Sequence, residues 1–329
     1  MPSFCRHNRF LANCPICSEE AAEGLVTGGS ATSPARPSRP GTGPSDHSAP
    51  RAPSRRGRRF GAGALQVSHV ERSADDGYRS SLVPGLRSSA DARKLAEEVA
   101  FSVARLSELA GAPPGLYADV AREPEIERAC ELAFLIAYLS PLEDLADPWR
   151  SIRAAAASEP PAFDDGLEAG PRGAFDARLA ARTWSAYCAW AQRAGSQEVA
   201  FTGDVAWSAE RRFARLLERL ALPGFPRAAR FDLLVSLGRL GRFDLRAGAL
   251  GLGGVSDATT VAAKRVFGIG DTLLLERRAV ALADALAVEL EALDLALYNW
   301  AGVPARTTLG SRALPAAGAV DALAGALGV

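Results

Sequence analysis

The sequence predicts a mostly α-helical protein, and three observations carry that expectation. Apolar residues recur at helical spacing, as in Leu95, Val99, Val103 and Leu106, which places them on one face of a 3.6-residue period. Ile126 to Leu139 is nearly all apolar, the pattern of a helix buried all round, and Pro141 stops it. Strand-like alternation is confined to a weak stretch from Leu65 to Leu86, where Asp76-Gly77 signals a hairpin turn. At 329 residues and 48% hydrophobic content, the chain can bury one large or two modest cores.

Residues 1–18 hold Cys5, His7, Cys14 and Cys17, with the last two in a Cys-x-x-Cys turn. Thiolate and imidazole ligands in two close pairs suit tetrahedral Zn²⁺, and four of them leave no open position, so the expected ion is structural. Redox-active or incidental thiols are the competing reading. Residues 19–63 are rich in Gly, Ser, Pro, Ala and Arg with almost no bulky apolar side chains, which predicts a disordered tether. Its arginines between Arg36 and Arg59 would suit either a phosphate-binding arm or a solvated linker. Residues 64–88 are expected to be an extended or β-hairpin lead-in.

Residues 89–303 are expected to form an all-α domain. After the stripe from Leu95 and the run from Ile126, residues 151–174 read as a loop rich in Ala, Pro and Gly. Trp184, Tyr187, Cys188 and Ala191 fit another helix, and Phe213, Leu216, Leu217 and Leu220 fit the next, ended by Pro223-Gly224. Phe231, Leu234 and Val235 open a further one. Two helices follow after Thr259, joined by a very short turn, and then one through Trp300. Residues 304–329 read as a weakly patterned tail.

The short turn is the informative part. Val266-Phe267-Gly268-Ile269-Gly270-Asp271, between two helical segments, has the apolar-Gly-apolar-Gly form of a helix-hairpin-helix. Glycine admits backbone angles that other residues resist and lets a partner approach closely. Amides at the start of the second helix then meet a DNA phosphate at the positive end of its dipole. Lys264, Phe267, Gly268, Ile269, Gly270 and Asp271 are therefore the expected DNA-binding residues. An ordinary tight connection between antiparallel helices is the alternative. One helix downstream, Asp294 stands alone in the apolar run Leu293-Asp-Leu-Ala-Leu-Tyr-Asn-Trp300. A lone carboxylate there is costly to bury without a purpose. It could also cap a neighbouring helix or pair with an arginine.

Taken together, the N-terminal cluster, Thr259 to Asp271, Leu275-Glu-Arg-Arg278 and Leu293 to Trp300 resemble the clade named for alpha-glutamyl/putrescinyl-thymine pyrophosphorylases, proteins of the helix-hairpin-helix DNA glycosylase fold. Ala133 to Leu139, running into Ser140-Pro-Leu-Glu143, resembles the early buried helix and polar DNA-facing turn of that fold. The resemblance covers roughly residues 65–303 and is strongest from Phe231 to Trp300. It implies action on a base, here a modified pyrimidine of phage DNA, taken out of the duplex, with Asp294 as the catalytic carboxylate. It leaves open glycosidic cleavage or displacement of pyrophosphate on a modified thymine. Thr272 and Leu273 stand where bifunctional glycosylases carry a lysine, which disfavours a Schiff-base lyase.

The formal net charge is zero, so affinity for nucleic acid must come from local patches. Only two of the 38 basic residues are lysine, Lys94 and Lys264. Five cysteines, no signal-like apolar stretch in residues 1–18 and no long apolar run fit a cytoplasmic protein without a membrane span. The expected function is DNA-base processing with double-stranded DNA as partner and Zn²⁺ as cofactor. A non-catalytic DNA-binding adaptor and a protein-interaction scaffold are the alternatives.

Overall fold

The computed structural model describes residues 73–144, 146–254, 256–302 and 306–329. Cys5, His7, Cys14 and Cys17, the tether and residues 64–72 of the lead-in lie outside the described residues. Among the described residues there are twelve helices and no strand. In chain order they are α1 (Ser89–Gly111), α2 (Leu116–Arg122), α3 (Ile126–Leu139), α4 (Arg150–Ala156), α5 (Ala177–Ala194) and α6 (Gln197–Thr202). There follow α7 (Ala209–Arg219), α8 (Arg227–Arg239), α9 (Ala258–Phe267), α10 (Thr272–Leu286), α11 (Leu290–Ala301) and α12 (Ala319–Leu327).

The described part of the lead-in, residues 73–88, is extended backbone and turn. Asp76 ties it to the helix that follows. One carboxylate oxygen accepts from the Tyr78 amide at 3.0 Å, and the other accepts from the amide and hydroxyl of Ser89 at 2.9 and 2.5 Å. The Asp76-Gly77 turn is thus fastened to the start of α1. Ser88 accepts from the Ala90 amide and starts that helix.

The helices pack in two groups. In one, α11 and α12 lie against α1, and α9, α10 and α11 pack on one another. In the other, α3 is central, with α2, α4, α6 and α8 against it. Its apolar stretch matches burial of Cys130 and of every residue from Ala133 to Leu139, while Glu127, Arg128 and Glu131 keep its first turns partly exposed. Phe134 makes ring contacts with Tyr138, Trp184, Tyr187 and Phe225, the Tyr187 ring only 4.2 Å away. Aromatic pairs of this kind add about 0.5–1.5 kcal/mol beyond the area they bury. Contact between α1 and α8 brings the two groups together.

Two segments differ from expectation. The stretch expected to be a loop contains α4, with Ile152 and Ala155 buried. The weakly patterned tail is part of the fold: α12 docks on α1, buries Ala324 and Leu327, and its Leu327 carbonyl accepts from the Tyr78 hydroxyl at 2.6 Å. Ahead of α12, residues 306–311 form a strap. Arg306 pairs with Glu98 on α1 at 2.7 Å, Asn299 on α11 exchanges two 3.0 Å hydrogen bonds with the Thr307 backbone, and Thr308 donates twice to Glu143. The polar turn after α3 is therefore tied down through Glu143. No helix among the described residues is long and apolar enough to cross a membrane.

Candidate nucleic-acid interface and buried charge network

Asp257 starts α9: its side chain accepts from the Thr260 amide at 2.8 Å and from the Thr260 hydroxyl at 2.7 Å. The helix buries Ala262, Ala263, Val266 and Phe267 and ends at Gly268, which adopts the left-handed conformation with φ 65°. That backbone disfavours residues with a Cβ. Asp271 then caps α10 by accepting from the Leu274 amide at 2.9 Å. The two helices joined by a very short turn are present as expected.

The rear of this turn is occupied by the lead-in. The Gly85 amide donates to the Val266 carbonyl at 2.9 Å, and a Cβ on Gly85 would lie 2.0 Å from the Arg265 carbonyl oxygen. Only glycine admits so close a backbone crossing. The front is open: Gly268, Gly270 and Asp271 are exposed, and nothing lies within 4 Å of a Cβ built on Gly270. The amides of Ile269, Gly270 and Asp271 make no hydrogen bond within the described residues. Lys264 and Arg265 on α9 and Arg277 and Arg278 on α10 form no salt bridge among the described residues, and Arg265 lines a cavity on the lead-in side with Asp75, Gly85 and Asp91. The Arg278 guanidinium donates to the Ser81 carbonyl. Of the nearby acids, Glu276 is occupied, accepting from the Leu250 and Leu252 amides at 2.8 and 2.5 Å.

Of the residues expected to bind DNA, Gly268, Gly270 and Asp271 are exposed, and Lys264 and Ile269 are half-buried. Phe267 is the exception. It is 1% exposed and belongs to the core, because its place in the last turn of α9 points it inward with Val266.

Asp294 is buried and paired. It is 1% exposed on a helix buried on nearly every face. One oxygen accepts from Arg172 at 2.5 Å and the other from Arg227 at 2.6 Å. Arg172, whose side chain is fully buried, also grips Asp232 on α8 in bidentate fashion at 2.8 and 2.9 Å. The Arg227 Nε lies 3.0 Å from Asp257, close enough to pair but not aligned for a hydrogen bond. The Tyr298 ring covers Arg172 at 4.8 Å, and its hydroxyl donates to the Pro171 carbonyl. Burial pushes the Asp294 carboxyl upward in pKa, but Arg227 and Arg172 together outweigh that and hold it below its ordinary value. It is an ionised carboxylate with both oxygens taken, so in this conformation no atom of it is free to meet a sugar. Pairing with arginine, one of the alternatives the sequence left open, is what the structure shows.

No family model, curated protein or solved structure matches the chain. Its geometry is the basis for any functional reading. Among the described residues no group of His, Cys, Asp or Glu side chains could hold a metal ion. Sequence reasoning missed Gly85, Arg172 and Arg227. Arg172 sits in a loop without periodicity, and its partners are remote in the chain, so no local pattern marks it. Gly85 follows a proline at a turn, and nothing in its neighbourhood names the helix it crosses.

Proposed function

We propose that the protein binds duplex DNA through the α9–α10 hairpin, as the helix-hairpin-helix motif does. The observation that carries this reading is the front of the turn: three amides with no hydrogen-bond partner among the described residues, at the positive end of α10, on a Gly-Ile-Gly tip, with the exposed Arg277 and Arg278 further along the same helix. Such a surface suits a phosphodiester and positions a duplex without reading its sequence. Asp271 supplies one negative charge at the tip, but its carboxylate is engaged with the Leu274 amide. On ligand type and spacing alone, a structural zinc ion at Cys5, His7, Cys14 and Cys17 remains part of the proposal.

Gly270→Glu is the direct test. A side chain at position 270 enters open space, so the fold should tolerate it, whereas Gly268 is backed by Gly85 and held at positive φ. Placing a carboxylate against the phosphate should weaken duplex binding by about tenfold or more at low salt. Fluorescence anisotropy reads the affinity and circular dichroism the fold. Equal affinity of the two proteins, or no wild-type binding, would refute the proposal.

A second reading is the base-processing enzyme of the glycosylase-like clade, acting on a modified pyrimidine. The observation favouring it is that Asp294 lies between the two helix groups, on the helix that follows the hairpin. Catalysis by Asp294 then requires that Arg172 or Arg227 release an oxygen when DNA binds. Release of modified base by wild type but not by Asp294→Glu would support it. Undiminished release by Asp294→Glu would place the chemistry elsewhere.

A further inference from the structure

The inner face of α10 consists of Leu275, Ala279, Leu282 and Leu286, all buried at successive turns. That stripe accounts for the helix's packing and leaves Leu273 and Leu274 outside it. Leu273 is 76% exposed and Leu274 47% exposed, in the first turn beyond the hairpin. Large apolar side chains so placed contribute nothing to the core. Each is followed one turn later by an exposed arginine, Arg277 after Leu273 and Arg278 after Leu274. The outward surface of α10 is therefore an apolar point backed by cations.

We propose that this point is a DNA wedge: Leu273, supported by Leu274, presses between bases beside the phosphate held at Ile269 to Asp271. The inference rests on the duplex-binding reading and adds to it a deformation of the bound DNA. Charge complementarity selects the partner. Arg277 and Arg278 follow the leucines one turn later on the same exposed surface, while Glu276 is turned to the Leu250 and Leu252 amides. The apolar surface is concentrated in one turn, with Val280 at 36% exposure the next exposed large apolar side chain along the helix. An anionic lipid surface would be met by apolar residues along the whole helix. A base step offers a narrow apolar gap between two charged strands, and inserted leucine or isoleucine side chains unstack such steps.

The test uses the full-length protein and duplexes carrying 2-aminopurine at successive positions, since unstacking raises its fluorescence. Wild type should raise the signal about twofold or more at one step. Leu273→Ala should remove that rise while keeping duplex binding within about tenfold of wild type with the same salt dependence, because no phosphate contact is lost. Leu273→Phe, which keeps an apolar wedge, should retain the rise. If wild type binds duplex DNA without any rise, or Leu273→Ala gives an undiminished one, the wedge is refuted and duplex binding stands. If wild type binds no duplex at all, both readings fail. In that case sedimentation with phosphatidylcholine–phosphatidylserine vesicles, lost in Leu273→Ala, would reassign the surface to lipid.

Discussion

An aspartate folded away from water must be neutralised or it will not stay charged, and Asp294 shows how two arginines achieve this. Each of its oxygens accepts from a different guanidinium, and each guanidinium has a further acidic neighbour, Asp232 or Asp257. Asp294→Asn keeps the shape but leaves two buried arginines with one compensating charge fewer. Breaking a buried pair in this way costs about 3–5 kcal/mol, so a loss of that order is expected in urea denaturation. A loss below about 1 kcal/mol would mean that Arg172 and Arg227 stay compensated without the Asp294 charge. The pH dependence has a definite sign. The folded pKa is depressed by the arginines, so the stabilisation is complete above the unfolded value of about 3.9 and is lost as pH falls through the lower folded value. The gap between wild type and Asp294→Asn should therefore be constant from neutral pH to about pH 5 and should close only in stronger acid. A gap that closed between pH 7 and pH 5 would assign it to another group.

At the scale of elements, the hairpin depends on a segment remote from it in sequence. The crossing of Gly85 over the end of α9 fixes the rear of the turn, and a Cβ there would collide with a backbone carbonyl that has no free rotation. Gly85→Ala should destabilise the protein by about 1–3 kcal/mol, the usual range for forced overpacking. It should also weaken duplex binding although no charge has changed. Normal stability in Gly85→Ala would show that the lead-in can shift without consequence. The longer helices were legible in the sequence. Ile126–Leu139 matches its apolar run residue for residue, and Asp271 and Gly268 mark the inner ends of the hairpin helices. The missed helices α2, α4 and α6 are six or seven residues long. Two turns or fewer give too few repeats for a 3.6-residue period to stand out. The hairpin turn itself was visible because glycine spacing is a local signal, whereas the Gly85 crossing was not.

For the whole molecule, the two helix groups meet through α1 and α8, through the Arg172 and Arg227 pairs, and through the strap at residues 306–311. The strap and α12 are linked through the small residues Ala316 to Gly318, and the composition of this tail gave little sign of order. Their order comes from tertiary contacts: Leu327 and Ala324 are buried, and Arg93 pairs with Asp321 at 2.9 Å. Ending the chain at Ala316 should lower stability by at least about 2 kcal/mol, on the order of one buried leucine. An unchanged urea midpoint would make α12 an appendage. Asp294 was legible as an anomaly but not as a junction, since its acidic and basic neighbours come from separate parts of the chain.

The same junction limits how the sequence can drift. The series Asp232, Arg172, Asp294, Arg227 and Asp257 alternates in sign along its length. An apolar set of similar volume could be equally stable in its place. Yet every single substitution toward that set strands an opposite charge beside the change, so each first step is worse than the starting point. Only concerted replacement escapes the penalty. Such a seam is held in place by the valley around it rather than by its own depth, and a designer replacing it should change all members at once.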